Sequence, residues 1–399
     1  MSTHATSFPI TARDIANSAV GRITSLAAIP FMLGVLASYA GFAWDVQWHS
    51  DVGPDTFFTM PHLVLYSGIA ISGLTCLVVT LLCSAAARSG DPGVAQSTTG
   101  IFGGRYMAPL GYLIGGFGAL SFLLYGLMDE WWHGIYGFDV TLISPPHVGL
   151  VLSIFVIMCG ALVAFSNDAR QAVAARSPWI SAASVGLAAS ALFAFLTPTM
   201  FDAVPLRVGP FNWIGLATAL LYPCMLLAVV SVTRLTGAAT LTALLFTLLL
   251  GVMWLIVPWV TREYAASLGL FMRDSTTGIP VVPGMLPSFL LVAGVAVDAV
   301  LMLWRRQGWS LRSGAAAAGA LAGLLLVVLQ PLPPIYGNWD PNRTTEAAQF
   351  LSVFTSETRL ATLIGAAAFG ALSGWFGWNL GILLRRTGTA AETRPELAA

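Results

Sequence analysis

The chain has 399 residues, of which 57% are hydrophobic and 9% are charged, and its formal net charge is zero. Because a soluble domain carries about 25% charged residues, this composition argues against an ordinary soluble fold and predicts an integral membrane protein. The balanced charge gives no indication of a nucleic-acid partner. All four cysteines lie in apolar segments, which does not fit the disulfide framework of a secreted protein.

Ten apolar stretches are long enough to cross a bilayer, since a hydrocarbon core of about 30 Å takes about 20 helical residues. They are residues 24–44, 61–86, 105–128, 146–166, 178–198, 212–232, 239–261, 284–304, 314–331 and 359–383. From the mixed, polar character of the residues before the first stretch, we expect no cleavable signal peptide. We therefore predict an all-α polytopic membrane protein with about ten transmembrane helices.

All 18 basic residues are arginine, and their distribution predicts the orientation in the membrane. Thirteen lie in the N-terminal segment, the even-numbered connections and the C-terminal tail, and five lie in the odd-numbered connections. We therefore expect both termini in the cytoplasm and the connections after the first and third stretches on the outer side. The lysine-free, alanine- and glycine-rich composition favours a bacterial source, and hence a bacterial cytoplasmic membrane.

The first four stretches contain a repeat in which each unit is a helix, an acidic outer connection and a second helix. Six residues define the repeat as three equivalent pairs, namely Asp45 and Asp129, His49 and His133, and His62 and His147. The first two pairs are separated by 84 residues and the third by 85. Because a unit of two helices preserves membrane orientation, this is a parallel repeat. The other six stretches show no copy of it.

The repeated residues have a spacing that suits a metal ion. The first triplet is Asp45, His49 and His62, and the second triplet is Asp129, His133 and His147. In each triplet the carboxylate and the first imidazole are four residues apart, which places them on one helix face. The last histidine follows a proline that marks a helix start. Two imidazoles and one carboxylate leave open positions on copper, zinc or non-heme iron. The alternative is a proton relay or a hydrogen-bonded structural role.

Other polar residues near the triplets are weaker candidates. Asp55 with Thr56, and Asp139 in the second connection, are candidates for orienting the imidazoles; simple solvation of a loop explains them equally well. Glu130, beside Asp129, is a candidate ligand or proton carrier.

Further candidates also have a simple structural explanation. Asp298 lies inside the eighth stretch, where it would serve a polar pathway or pair with a neighbouring helix. Cys76 and Cys83 are seven residues apart, which suits soft copper ligands, but packing is favoured for both. Three tryptophans would wall a site or form an aromatic belt at the membrane surface, namely Trp48, Trp131 and Trp132.

The two motifs read Asp45-x3-His49-x12-His62 and Asp129-Glu130-Trp131-x-His133-x13-His147. In this respect the sequence resembles the C subunit of the copper membrane monooxygenases, the particulate methane and ammonia monooxygenase family. That subunit carries Asp-x3-His-x12-His and then Asn-Glu-Trp-x-His-x13-His. Thr59 and Pro61 match the family's context before the final histidine of the first motif. The resemblance covers about residues 24–166.

The resemblance implies that each triplet binds copper within the membrane. It also implies that the second triplet, Asp129, His133 and His147, activates O2 and hydroxylates the substrate. Asp129 departs from the family's asparagine, and its negative charge would favour a harder or higher-valent metal. The family's partner subunits, including the one with soluble copper-binding domains, are not part of this chain.

These observations predict four regions and a function. Residues 1–23 form a cytoplasmic N-terminal segment, 24–166 a four-helix module with both motifs, 167–386 a six-helix membrane module of unknown role, and 387–399 a disordered tail. We expect a copper-dependent membrane monooxygenase or one of its subunits, acting on a small apolar substrate within the lipid bilayer. Partner membrane subunits or a homo-oligomer are the expected assemblies. The alternatives are metal transport or handling and a non-catalytic scaffold.

Overall fold

The structure is a computed structural model that describes residues 17–53, 55–137, 144–172, 177–203, 207–208, 211–274, 276, 280–329 and 359–386. Its helices are α1 (Ala19–Asp51), α2 (Met60–Arg88), α3 (Val94–Ser97), α4 (Leu110–Tyr136), α5 (Pro145–Ala172), α6 (Pro178–Ala203), α7 (Trp213–Thr233), α8 (Ala238–Ser267), α9 (Val281–Met285), α10 (Leu290–Arg306), α11 (Leu311–Leu329) and α12 (Arg359–Arg386). Two antiparallel pairs of short strands accompany them, β1 (Thr99–Ile101) with β2 (Tyr106–Ala108), and β3 (Arg207–Val208) with β4 (Phe211–Asn212). The predicted tail and Asp139 lie outside the described residues.

Nine of these helices are long and apolar enough to cross a membrane, counted over the described residues. They and α10 occupy the positions of the ten predicted stretches. Helix α10 is the shortest of the ten, with 17 residues, and extends for about 25 Å. The prediction of an all-α polytopic membrane protein is therefore confirmed.

Two predicted helix starts differ from the structure. The apolar pattern predicts a third long helix from residue 105, but α4 begins at Leu110 because β1 and β2 form a hairpin whose turn includes Gly103 and Gly104 at positive φ. The same pattern predicts an unbroken eighth helix from residue 284. The structure divides this region into the short helix α9 and the longer helix α10, separated by residues 286–289. Apolar composition alone does not distinguish a continuous helix from an interrupted one.

The first four long helices form two hairpins. Helix α1 packs along α2, α4 packs along α5, and contacts between α2 and α4 join the hairpins into one unit. Helices α1 and α6 both pack against α8, and α7, α10, α11 and α12 pack on one another. One cluster of buried apolar side chains extends from Val20 in α1 to Leu384 in α12. The repeat-bearing half and the second half of the chain therefore share a core.

Glycines at equivalent repeat positions allow close helix packing in both hairpins. A Cβ atom on Gly34 would lie 2.8 Å from the carbonyl oxygen of Gly68 across the α1–α2 contact. In the second hairpin, a Cβ on Gly118 would lie 2.9 Å from the carbonyl oxygen of Ser153. The two glycines are 84 residues apart and their partners 85 apart, the same offsets as the ligand motifs. Small residues of this kind let membrane helices approach backbone to backbone.

Candidate metal centres

The ends of the hairpins bring each triplet together, as the sequence predicted. Helix α1 ends at Asp51, shortly after His49, and α2 begins at Met60, so that His62 lies in its first turn. Pro61 occupies the first turn of α2, where the missing N–H costs no intrahelical hydrogen bond. In the second hairpin, α4 ends at Tyr136 and α5 begins with Pro145. A helix end and the next helix start therefore face each other in both copies.

Four side chains converge at the end of the first hairpin, and we name this group cluster 1: Asp45, His49, Asp55 and His62. His62 Nε2 lies 2.9 Å from Asp45 Oδ1 and 3.3 Å from Asp55 Oδ2. His49 Nε2 lies 3.7 Å from Asp45 Oδ1 and 3.2 Å from Asp55 Oδ2. Each imidazole nitrogen is thus close to both carboxylates, which is the arrangement expected around one cation.

Asp55 is the member of cluster 1 that the sequence did not identify as a ligand. The sequence indicated it only for orienting the imidazoles, but its own carboxylate oxygen lies among the donor atoms. The repeat contained a signal for it, because Asp55 and Asp139 are 84 residues apart, the offset that relates Asp45 to Asp129. Comparing the two connections position by position would have grouped Asp55 with the triplet residues.

Three side chains form cluster 2 at the end of the second hairpin: Asp129, His133 and His147. Both imidazole Nε2 atoms lie 3.4 Å from Asp129 Oδ1. Asp129 has 9% of its side chain exposed, against 11% for His133 and 23% for His147. Among the described residues, cluster 2 therefore presents three donors where cluster 1 presents four.

Backbone carbonyls hold one imidazole of each cluster in a defined orientation. His62 Nδ1 lies 3.0 Å from the carbonyl oxygen of Thr56, and His133 Nδ1 lies 3.0 Å from that of Gly137. Because a carbonyl oxygen only accepts, Nδ1 carries the proton in both contacts, and a neutral ring then has its lone pair on Nε2. Hydrogen bonds of this type orient metal-binding histidines. The expected orienting role of Thr56 is thus carried by its backbone oxygen.

The dimensions of cluster 1 fit a small divalent cation. In a regular tetrahedron the edge is about 1.6 times the distance to the centre, so edges of about 3.3 Å correspond to the zinc–nitrogen and zinc–oxygen distances of about 2.0 Å. The four edges measured between imidazoles and carboxylates range from 2.9 to 3.7 Å. Asp45 Oδ1 is buried, and the Nε2 atoms of His62 and His49 lie 2.9 and 3.7 Å from it. A cation at the centre would satisfy this oxygen.

The two clusters lie close enough for their charges to interact. Burial by itself would raise the pKa of Asp55, but the hydrogen bond with His49 and the charges of His49 and His62 outweigh that effect. His133 of cluster 2 acts in the same direction, and the resulting pKa of Asp55 is lowered. The ends of both hairpins are therefore near each other, on the same side of the bundle.

Aromatic side chains form a wall beside cluster 1 that extends to the second hairpin. The ring of Tyr66 stacks on His62 with centroids 5.9 Å apart and an interplanar angle of 24°. Tyr66 also contacts Phe57 at 5.2 Å and Phe122 at 5.9 Å. Phe122 precedes Asp129 by seven residues on α4, which is about two turns of helix.

The other candidates from the sequence have different positions. Glu130 is exposed and does not belong to cluster 2. Trp48 is fully buried, whereas Trp131 has 56% of its surface exposed. Cys76 and Cys83 are both buried within the main apolar cluster, in agreement with a packing role.

Asp298 has a structural partner rather than a place in a polar pathway. Its Oδ2 accepts hydrogen bonds from the backbone N–H and the hydroxyl of Thr240, at 2.8 and 2.7 Å, and its Oδ1 accepts from the N–H of Gly237 at 3.2 Å. These donors lie at the start of α8, where backbone N–H groups lack intrahelical acceptors. Asp298 thus fastens the N-terminus of α8 to α10.

Comparisons with protein-family models, with curated proteins and with solved structures found no match for this chain.

Proposed function

We propose that this chain is a membrane-embedded, metal-dependent monooxygenase, or a subunit of one, that hydroxylates a small apolar substrate with O2. The observation that carries the proposal is cluster 2, in which two imidazoles and one carboxylate converge within 3.4 Å at the end of a transmembrane hairpin. A set of three protein donors is typical of catalytic metal sites, where a further position receives water, O2 or substrate. Copper is the metal that the motif resemblance favours.

The residues of the chain would contribute binding, orientation and charge. A bound metal would supply the O2 chemistry, and the electrons for reducing the second oxygen atom to water must come from an external reductant. Asp129 would hold the metal with its carboxylate, and the contact of His133 Nδ1 with Gly137 would keep Nε2 directed at the ion. The lipid phase would concentrate an apolar substrate next to this site.

The packing of the hairpins favours this proposal over metal transport. Below cluster 1, α1 and α2 are in backbone contact at Gly34 and Gly68, and the second hairpin is equally close at Gly118 and Ser153. A cation that leaves either cluster would find no opening through its own hairpin at these levels.

The test is substrate-dependent O2 uptake by purified protein in nanodiscs loaded with copper, iron or zinc, with a quinol as reductant and short alkanes as substrates. We expect uptake with one of these metals and its loss in His133→Ala. His4→Ala is the matched control, because His4 is the one histidine outside both triplets. Uptake that persists in His133→Ala, or protein that binds none of the metals, would refute the proposal.

Two outcomes would support the alternatives instead. Metal accumulation in proteoliposomes that depends on His133 would indicate transport. Full biological function of a variant in which all four triplet histidines are alanine would indicate a scaffold.

A further inference from the structure

The second half of the chain contacts the part of the first hairpin that carries cluster 1. Cluster 1 takes its donors from three segments: the end of α1, the connection with Asp55, and the start of α2. The distance between the end of α1 and the start of α2 therefore sets the distance between His49 and His62. Any residue that contacts both helix ends controls the geometry of the cluster.

Tyr264, in the last turn of α8, contacts both ends. Its ring lies 5.9 Å from the ring of Trp44 and 5.0 Å from that of Trp48, measured between centroids. These tryptophans directly precede Asp45 and His49 in α1. The Tyr264 hydroxyl accepts a hydrogen bond of 3.3 Å from the backbone N–H of Met60, the first residue of α2.

Apolar packing surrounds this contact. Trp48 is fully buried and forms a small core cluster with Val52 and Ala265, against which Tyr264 and Leu270 pack. This cluster is separate from the main core. Helix α8 and the residues after it thus enclose the side of α1 next to His49.

The segment after α8 also binds the C-terminal end of α1. The backbone N–H of Arg273 donates to the carbonyl oxygen of Asp51 at 2.7 Å, and its guanidinium donates to that of Ser50 at 3.3 Å. The N–H of Val281 donates to the Gln47 side chain at 2.7 Å. Carbonyls at a helix C-terminus lack intrahelical donors and favour a nearby cation, so these contacts stabilise α1 up to its last turn.

Among the residues that the structure describes, the second hairpin does not repeat these features. The residues equivalent to Gln47 and Asp51, 84 positions on, are Trp131 and Ile135, and each has 56% of its surface exposed. The counterpart of Trp48 is Trp132, whose ring contacts that of Tyr136 in its own helix, with centroids 4.4 Å apart and the rings tilted by 41°. Cluster 2 therefore serves as an internal control for any effect of the second half on cluster 1.

We propose that Tyr264 is a positioning residue for cluster 1, through which the second half of the chain sets the coordination geometry of that site and not of cluster 2. The inference rests on metal binding by cluster 1, which is part of the proposed function, but it requires no oxygenase activity. It assigns a role to α8 and the segment after it, for which the sequence predicted none.

The test measures Co2+ binding in two backgrounds, His133→Ala to isolate cluster 1 and His49→Ala to isolate cluster 2. We expect Tyr264→Leu to weaken Co2+ binding by cluster 1 about 10- to 100-fold, as for other residues that support metal ligands, and to alter its visible absorption spectrum. Tyr264→Phe keeps the ring and loses one hydrogen bond, so we expect a loss of about two- to tenfold. Cluster 2 should be unaffected by both changes.

Tyr222→Phe is the matched control, because it removes a hydroxyl from the same half of the chain, where Tyr222 meets Thr197 at 2.7 Å. Hydrogen exchange on metal-free protein gives a second readout: Tyr264→Leu should speed exchange in residues 45–62 but not in 129–137. Equal weakening of both clusters, or an unchanged cluster 1, would overturn the inference. Absence of Co2+ binding to cluster 1 in the His133→Ala background would overturn it as well. If Co2+ binding follows these expectations but the protein shows no O2 uptake, only the oxygenase proposal is refuted.

Discussion

In the first hairpin, the end of α1 is enclosed by α8 and bound by Arg273 and Val281, whereas the equivalent end of α4 presents Trp131 and Ile135 at the surface. The ligand motifs of the two hairpins are almost identical, so their spacing does not account for this difference. Cluster 1 brings four donors together beside an enclosed helix end, with His49 39% exposed, and the described part of cluster 2 brings three together, none more than 23% exposed, beside a more exposed helix end. The comparison shows that a repeated motif can acquire two environments.

The comparison also supports a division of roles. A site with four protein donors, held by helices that pack against other parts of the chain, resembles structural or storage metal sites, which lack an open coordination position. Cluster 2 presents three donors among the described residues, which do not include Asp139, and a site with three donors resembles catalytic ones. This contrast agrees with our assignment of the reaction to Asp129, His133 and His147 rather than to cluster 1.

The largest expected effect is the loss of one metal ion in each single histidine variant. His49→Ala and His133→Ala should each retain about one of two metal equivalents, because the remaining cluster keeps its own donors. Elemental analysis of protein in nanodiscs, with His4→Ala as the control, measures this. Loss of both ions from either variant would show that the clusters form one interdependent centre. The two clusters could then not be compared as separate sites.

A smaller effect is expected for the fourth donor of cluster 1. In the His133→Ala background, Asp55→Asn should weaken Co2+ binding about 10- to 100-fold, the range seen when groups that support a metal site are changed. Glu130→Gln is the control, because Glu130 is exposed and belongs to neither cluster. If the two variants bind Co2+ equally, Asp55 is not a ligand and the clusters are more alike than we infer.

The glycine contacts provide a test of structural equivalence. Gly34→Ala and Gly118→Ala should each lower the free energy of unfolding by about 1–3 kcal/mol, because the new methyl group meets a neighbouring backbone. Gly126→Ala is the control, since nothing lies within 4 Å of the position that its new methyl group would occupy. Unfolding by denaturant in mixed micelles measures all three. A clear difference between Gly34 and Gly118 would show that the hairpins pack differently.

The smallest effect is expected far from both clusters. Asp298→Ala should lower the free energy of unfolding by about 1 kcal/mol, the usual cost of losing a side chain that caps a helix start. Metal content and Co2+ affinity should stay unchanged at both sites. A selective change at one cluster would reveal a connection to α10 that the contacts of Asp298 do not indicate.

Much of the site was predictable because its spacing is local. Asp45 and His49 share one helix face because they are four residues apart in a helix. The prolines before His62 and His147 predicted the helix starts. The start of α4 was not predictable in this way, because a short β-hairpin continues the apolar composition of the helix. Asp55 lies in a connection, where no helical periodicity indicates the direction of its side chain, and its one signal in the sequence was the 84-residue offset to Asp139.

By itself, the sequence determined the membrane class, the positions of ten helices and the two Asp-His-His triplets that converge at the hairpin ends, since apolar length and residue spacing act within one or two helices. Only the tertiary structure decided that Asp55 joins cluster 1, that Asp298 caps α8 and that Tyr264 supports one cluster. The N–H of Met60 and the hydroxyl of Tyr264 are 204 residues apart in the chain. Contacts of this kind depend on which helices pack together, and local patterns carry no information about that choice.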